Sequence, residues 1–96
     1  MTKLKSNDAD KLFKAIVSLK DEKECAAFFD DICTIQELEA LVQRFEVACQ
    51  LDEGKSYADI NKTTGASTAT ICLGSKCLNY GDGGYKTAIE RVKEAK

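Results

Sequence analysis

The sequence predicts an all-α protein of about six helices that contains a helix-turn-helix unit. In this 96-residue chain, apolar residues recur every three or four positions, which is the spacing of one face of an α-helix. Several of these runs begin directly after Ser, Thr or Asp, the residues that cap helix amino termini. The sequence has neither proline nor a stretch with the period of two that marks a β-strand. These observations favour a single helical domain over residues 1–96.

Two helices are predicted in the first third of the chain. The first starts at Asn7 or Asp8 and continues to about Leu19, with its apolar residues mostly at helical spacing. The second opens at Asp21, whose carboxylate can cap it, and Glu24 occupies the capping-box position three residues later. Both helices therefore have an apolar side that can face a core.

The third predicted helix is the longest. It begins at Thr34, where TIQE has the form of a capping box, continues to about Asp52 and is ended by Gly54. Its apolar residues cover a wide arc and not one stripe, so the helix must be buried on more than one side. A chain of 96 residues can hardly cover such a helix alone. We therefore expect a homodimer, in which a second copy of the chain helps to bury this helix.

A helix-turn-helix unit is predicted between residues 55 and 80. Ser56 can cap its first helix with the side-chain hydroxyl. Gly65 then supplies the left-handed conformation that stops this helix, because a residue without Cβ adopts it at little cost. Ser67 or Thr68 can cap the second helix.

The two helices of this unit are expected to pack through Ile60 and Ile71, which lie on either side of the turn. The outer face of the second helix is left free, and most of its residues are small or carry hydroxyl groups. Such residues allow close approach to a groove, and Ser and Thr can bond phosphates or base edges. The alternative is ordinary helix-loop-helix packing without a ligand. A last helix is predicted within residues 82–95.

Charge is divided unevenly along the chain. The whole sequence has a formal net charge of -2 and a pI of about 5.1, which argues against a nucleic-acid partner. Residues 1–54, however, carry a net charge of -5 and residues 55–96 a net charge of +3. An anionic partner is therefore expected to meet the second half, where the few lysines predict a modest electrostatic attraction to DNA.

Composition excludes several classes of protein. The sequence has five cysteines without a CxxC pair and no histidine, so neither a disulfide framework nor a metal site is expected. We expect reduced thiols that are buried or half-buried. No apolar run approaches the length of about 18 residues that is needed to cross a membrane. The amino-terminal stretch MTKLKSNDADK lacks the apolar segment of a signal peptide. A cytoplasmic location is therefore expected. Because there is no histidine, and no cysteine or serine lies beside an evident base, no activated nucleophile is expected and the protein is not expected to be an enzyme.

Several motifs resemble the tryptophan repressor family. They are EALVQRFEVA from Glu39 to Ala48, EGKSYADI, and GASTATICLGSKCL with its ordered GA, ATI, GS and L. The tail NYGDGGYKTAIERV is most similar to the uncharacterised branch called the YerC/YecD type. The similarity extends from about Asp10 to Val92. It implies an intertwined homodimer in which the first three helices of both chains, the dimerisation helices of residues 1–53, form a shared core. The helix-turn-helix units then enter successive major grooves of double-stranded DNA.

The resemblance also implies which residues contact DNA. In the family, DNA contacts come from the start of the first helix of the helix-turn-helix unit and from the turn and the outer face of its second helix. With the neighbouring lysines and the first helix cap included, the candidates are Lys55, Ser56, Ala58, Lys62, Ser67, Thr68, Ala69, Thr70 and Lys76.

An effector pocket is the second site that the resemblance implies. Tryptophan repressors hold the indole ring of their corepressor between two arginines. Arg44 matches the first arginine and Thr34 matches a family threonine, but Leu73 occupies the second arginine position. Leucine cannot bond a carboxylate, so we expect the pocket to reject tryptophan and to suit a different, uncharged ligand. Alternatively, Arg44 forms an ion pair with Glu37 or Glu39 and has no ligand.

The sequence thus supports two functions from different classes. The first is a homodimeric, sequence-specific transcriptional regulator of the repressor type, with or without a small-molecule effector of unknown identity. The second is a dimeric protein-interaction or small-ligand-binding module that has kept the fold but binds DNA weakly or not at all. Neither function calls for a metal, a cofactor or a membrane.

Overall fold

The structure, a computed structural model, describes residues 6–95 and contains six α-helices and no β-strand within that range. The helices are α1 (Asn7–Val17), α2 (Glu22–Ile32), α3 (Ile35–Asp52), α4 (Tyr57–Thr64), α5 (Thr68–Tyr80) and α6 (Gly84–Glu94). The predicted all-α class and the predicted order of six helices are confirmed. Residues 1–5 and 96, which the prediction of one domain over 1–96 included, lie outside the described residues. None of the six helices is both long and apolar enough to span a membrane.

The chain divides into two compact units, Met1–Leu38 and Glu39–Lys96, and α3 begins in the first and ends in the second. In the first unit, side-chain caps define where α1 and α2 begin. At α1, Ser6 Oγ accepts a hydrogen bond of 3.0 Å from the Ala9 N–H, and at α2 the Asp21 carboxylate accepts one of 2.9 Å from the Glu24 N–H. The predicted cap at Asp21 is confirmed. Helix α1 ends at Val17, two residues before the predicted Leu19.

The capping box that opens α3 is also present. The Glu37 N–H donates to Thr34 Oγ1 over 3.1 Å, and the Thr34 N–H donates to Glu37 Oε1 over 2.8 Å. In α2 the reciprocal bond differs from the expected one, because Glu24 Oε1 accepts from the N–H of Lys20 and not from that of Asp21. The carboxylates of Glu24 and Glu37 both lie near a helix amino terminus, where the helix dipole favours negative charge.

Few apolar side chains are buried in the first unit. Ala9 is buried, whereas Val17 is 82% exposed and Ile35 77% exposed, and α2 contains no buried residue. Phe28 and Phe29 form an edge-to-face pair with ring centroids 5.5 Å apart. This unit therefore presents large apolar side chains at the surface of the single chain.

The second unit has a core in two parts. The first cluster contains Val47 of α3, Ile60 of α4, Ala66 of the turn and Ile71 of α5. In the second cluster, three buried residues, Ala48, Leu78 and Ile89, join α3, α5 and α6. Leu51 packs against both clusters, so the carboxyl-terminal part of α3 supports the remaining helices.

An ion pair joins the ends of α3 and α6, where Lys93 Nζ lies 2.8 Å from Asp52 Oδ2. The hydrogen bond to Asp52 and the negative charge of that carboxylate raise the pKa of Lys93. Nearby, burial raises the pKa of the Cys49 thiol, and the carboxylates of Glu46, Glu53 and Asp52 act in the same direction.

Candidate nucleic-acid interface

The helix-turn-helix unit has the predicted start, turn and restart. Ser56 Oγ accepts a hydrogen bond of 3.1 Å from the Asp59 N–H at the start of α4. Gly65 ends α4 with a φ of 75°, the left-handed conformation that glycine adopts most readily. Ser67, and not Thr68, caps α5, accepting a hydrogen bond of 3.2 Å from the Thr70 N–H.

Four hydrogen bonds that the sequence did not predict hold the turn between α4 and α5. Asn61 Nδ2 donates to the Ala66 carbonyl over 2.8 Å, so the side chain spans the turn from one helix. Gln43 Nε2 donates to the Thr64 carbonyl over 3.1 Å, which ties the turn to α3. Thr64 Oγ1 donates to the Ile60 carbonyl and accepts from the Ala66 N–H. The turn is thus fixed both within itself and to the helix that supports it.

The apolar side of the unit is buried as predicted. Ile60 and Ile71 are both 0% exposed and belong to one cluster with Val47 and Ala66. Because α4 and α5 share this cluster with α3, the two helices have a defined position within the second unit.

The opposite side of α5 faces solvent. Its exposed residues include Thr68, Ala69, Cys72, Leu73 and Lys76. We refer to Thr68, Ala69, Cys72 and Lys76 as the outer strip, because successive members lie one to four residues apart on that exposed side. The predicted free outer face of the second helix is confirmed, and Ala69, Leu73 and Lys76 lie on it.

Two candidate DNA-contacting hydroxyls on α5 already have partners. Ser67 Oγ donates to Thr70 Oγ1 over 3.1 Å while it caps the helix. Thr70 is half-buried and lines the cavity described below. Thr68 remains fully at the surface and has no side-chain hydrogen bond to a described residue.

The expectation that all cysteines are buried or half-buried is wrong for two of them. Cys72 and Cys77 are exposed, whereas Cys25, Cys33 and Cys49 are half-buried, and all five thiols are free. The helical spacing predicts this, because Cys72 directly follows the buried Ile71 and therefore points away from the core. Cys72 is thus a member of the outer strip that the expectation of buried thiols overlooked.

The lysines around α4 lie in a polar groove of about 490 Å³. Its lining contains Lys55, Lys62, Gln50 and Thr63 together with three carboxylates, those of Glu46, Glu53 and Asp59. Ser56, Ala58 and both lysines are exposed, so a partner can reach them. The acidic neighbours reduce the positive potential on this side of the unit, whereas Lys76 is separate from that groove.

A second cavity, of about 290 Å³, lies between α3, α5 and α6. Arg44 and Leu73, the predicted effector residues, both line it, together with Val47, Thr70, Gly74, Cys77 and Tyr85. The lining does not include Thr34, which caps α3. Arg44 is exposed and forms no ion pair with any described residue, so the alternative pairing with Glu37 or Glu39 is not observed.

The chemistry of this cavity is mixed. It offers one guanidinium, one thiol and two hydroxyl-bearing side chains against an apolar wall. The ring of Tyr85, which lines the cavity, lies 6.5 Å from the ring of Phe45. Within residues 6–95, no group of three or more potential metal-ligating side chains was found. The cavity is suited to a small organic molecule with a partly apolar body.

Comparison with known proteins decides the family. The sequence model of the family described as Trp repressor protein matches residues 7–93. This chain belongs to the Trp repressor family. An uncharacterized protein of Bacillus subtilis, YerC, is 54% identical over 92 residues, which cover 96% of this chain and 88% of YerC.

Solved structures of Trp repressor-like proteins confirm the fold. A TrpR-like protein from Eubacterium eligens superimposes with a TM-score of 0.89 at 52% identity, covering 95% of this chain and 94% of that one. A candidate Trp repressor from Staphylococcus aureus also reaches a TM-score of 0.89, at 41% identity, covering 95% of this chain and 91% of that one. The expected resemblance to the Trp repressor family and to its YerC-like branch is confirmed.

Proposed function

We propose that this protein is a homodimeric transcriptional regulator that reads double-stranded DNA through α5. The observation that carries the proposal is the outer strip, a solvent-exposed face on a helix whose other side is fully buried, in a member of the Trp repressor family. A helix held in this way can enter a major groove without rearranging its core. We place the protein in the cytoplasm, with access to operator DNA.

The dimer in this proposal uses residues 1–53, with the helix-turn-helix in 55–80 and α6 in 82–95 completing one domain. Support comes from the apolar side chains that the single chain leaves at its surface. Val17 is 82% exposed, Ile35 77% and Val42 62%. A second copy of the chain would cover these residues, and burying apolar surface stabilises by about 25 cal/mol per Å².

The proposed DNA contacts divide into two kinds. Lys76, together with Lys55 and Lys62, would meet phosphates, as would hydroxyl and backbone groups at Ser56, Ala58 and Ser67. Thr68, Ala69 and Thr70 remain candidates for base edges, and Cys72 joins them.

The chemistry of the outer strip favours recognition of thymine. Thr68, Ala69 and Cys72 offer methyl groups, one hydroxyl and a thiol, and none offers the bidentate donors that select guanine or adenine. Apolar contact with the thymine methyl group is the base-specific interaction that such side chains make best. Replacing a contacted thymine with uracil should weaken binding about fourfold, because one buried methylene is worth about 0.8 kcal/mol.

Selection from a library of random duplexes tests the proposed function. We expect an inverted repeat whose half-sites are about one helical turn apart and contain thymines. Binding should fall steeply with salt, and Lys76→Glu should weaken binding to all sequences and lower the salt slope by about one unit. Lys86→Glu is the matched control, because Lys86 is exposed on α6 and outside the candidate interface. Enrichment of no motif would reject the proposal.

We also propose that the cavity beside α5 takes an effector other than tryptophan. Arg44 supplies one cationic group, but Leu73 provides an isobutyl wall where tryptophan recognition needs a second cation. The loss of a charged hydrogen bond and a stacking partner should weaken tryptophan binding by about one to three orders of magnitude. Calorimetry with L-tryptophan on the wild type and on Leu73→Arg tests this, with saturable low-micromolar binding by the wild type as the contrary result.

The second candidate function is a dimeric protein-interaction or ligand-binding module. The specific observation in its favour is the groove in which Lys55 and Lys62 lie beside three carboxylates. These carboxylates oppose phosphate binding. A stable dimer that enriches no DNA motif would favour this function.

A further inference from the structure

Gly74 is a buried glycine in the middle of α5. Glycine is a poor helix former, so a glycine in a helix interior calls for a reason. Conformation does not supply one, because the glycines with positive φ in residues 6–95 are Gly54, Gly65 and Gly83. The reason at Gly74 is therefore found in its packing.

The backbone of α5 approaches α3 closely at this point. A Cβ atom on Gly74 would lie 3.2 Å from Val47 Cγ1 and 3.5 Å from Leu51 Cδ1. Val47 is fully buried and Leu51 packs against both core clusters, so their core neighbours restrain both side chains, although Val47 also lines the cavity beside α5. A methyl group at position 74 therefore requires Val47 to give way by a few tenths of an ångström, and where the core restrains Val47 the strain falls on the spacing between α5 and α3.

The outer strip lies on the side of α5 opposite to this contact. Thr68 and Ala69 precede Gly74 by about a turn and a half, and Lys76 follows it by two residues. Because a helix of 13 residues moves nearly as a rigid body, a shift at Gly74 carries the whole strip with it.

We infer that Gly74 is a positioning residue for DNA recognition: its missing side chain sets how closely α5 packs on α3 and hence where the outer strip meets the base pairs. This inference rests on the proposed DNA-binding function. Contacts to base edges depend on tenths of an ångström, whereas flexible lysines keep phosphate contacts over a wider range. In a dimer, the shift occurs in both copies and changes the distance between the two reading helices.

Gly74→Ala is the test, with Gly84→Ala as matched control. Gly84 is also helical, and a Cβ atom there meets nothing within 4 Å. We expect Gly74→Ala to weaken binding to the selected duplex about tenfold, equivalent to about 1.4 kcal/mol, and to alter the preferred half-site spacing. Affinity for unrelated duplex and the melting temperature should stay within error of the wild type or rise, because alanine is the better helix former. Gly84→Ala should bind the selected duplex like the wild type.

A second-site variant separates positioning from general damage. Val47→Ala removes the Cγ1 atom that the new methyl group would meet, so Gly74→Ala/Val47→Ala should recover most of the lost specific affinity. Crystal structures of the two glycine variants give a readout without DNA, and a displaced α5 in Gly74→Ala alone is expected. Equal specific affinities for Gly74→Ala, Gly84→Ala and the wild type would overturn the inference and leave the proposed function intact. Failure of the wild type to enrich any motif would instead overturn the proposed function and this inference with it.

Discussion

The two units of the chain differ most in what they bury. In residues 39–95, seven apolar residues are buried, and they connect α3 to α4, α5 and α6. In residues 6–38, Ala9 is buried, while Leu12, Phe13, Val17, Ile32 and Ile35 remain exposed. The second unit therefore carries a core of its own. The first unit has apolar side chains of the kind found in cores, but its own residues do not bury them.

This difference indicates that the two units have different roles. A unit with its own core can hold a recognition helix in place, whereas exposed apolar helices mark a surface for association. We interpret the first unit as the part that a second copy completes. The experiments below test this division, beginning with the largest expected effect.

Phe13→Asp is expected to abolish the dimer. Phe13 is 42% exposed in the single chain, so an isolated monomer would tolerate the charge, but a covered position would bury an unpaired carboxylate at a cost of about 3–5 kcal/mol. Tyr57→Asp is the matched control, because Tyr57 is an aromatic residue with 41% exposure in the second unit. Sedimentation velocity at micromolar concentration should show a monomer or an unfolded chain for Phe13→Asp and a dimer for Tyr57→Asp. A dimer in both cases would contradict the division.

Ile71→Ala is expected to lower the free energy of unfolding by about 2–5 kcal/mol, because it removes a fully buried side chain from the first core cluster. Ile35→Ala sharpens the comparison, since Ile35 is 77% exposed in the single chain. If a second copy covers Ile35, the free energy of unfolding lost in Ile35→Ala should also exceed about 0.5 kcal/mol, the value typical of surface substitutions. Urea unfolding of both variants at one protein concentration measures the two values. A cost below that surface limit for Ile71→Ala would contradict the proposed core.

Ser67→Ala and Ser6→Ala compare one helix cap from each unit. Ser67 Oγ accepts from the Thr70 N–H over 3.2 Å, and Ser6 Oγ accepts from the Ala9 N–H over 3.0 Å. Each substitution should cost about 1 kcal/mol of stability. Ser67→Ala should in addition weaken DNA binding, because it frays the start of the recognition helix, whereas Ser6→Ala should not. Thermal unfolding and fluorescence anisotropy with the selected duplex measure these effects, and equal loss of DNA affinity in both variants would argue against a separate reading unit.

The smallest expected effect is a loss of stability at alkaline pH that arises in the second unit. The pKa values of Cys49 and Lys93 are both raised in the folded protein. Such groups stabilise the fold below their unfolded pKa values, about 8.5 for a thiol and 10.4 for an amine, and this contribution disappears as the pH rises through the folded values.

Asp52→Asn should reduce this pH dependence, because Asp52 raises both pKa values. Urea unfolding from neutral to strongly alkaline pH provides the measurement. An unchanged pH profile in Asp52→Asn would show that the ion pair with Lys93 does not form in solution.

Much of the fold was predictable from local chemistry. The caps at Asp21, Thr34 and Ser56 and the stop at Gly65 depend on a few neighbouring residues, and all four are observed. The packing of Ile60 with Ile71 also follows from helical spacing, once the turn between them is known.

The remaining features of the site depend on contacts between residues distant in sequence. The bond from Gln43 to the Thr64 carbonyl spans 21 residues, and the contact of Gly74 with Val47 joins two helices at a distance that no periodicity encodes. Of the three residues in the predicted effector pocket, Arg44 and Leu73 line one cavity, whereas Thr34 caps α3, so the role of the cavity stays a prediction. The exposure of Cys72 was predictable from its position beside Ile71, and a general preference of cysteine for burial obscured it.

Sedimentation equilibrium of the intact protein at micromolar concentration tests the central claim most directly. If a second copy covers the apolar helices of the first unit, the protein sediments with about twice its chain mass of 10.5 kDa, without a stable monomer. A compact, cooperatively folded monomer at the same concentration would contradict both the division of the chain and the dimeric regulator that we propose.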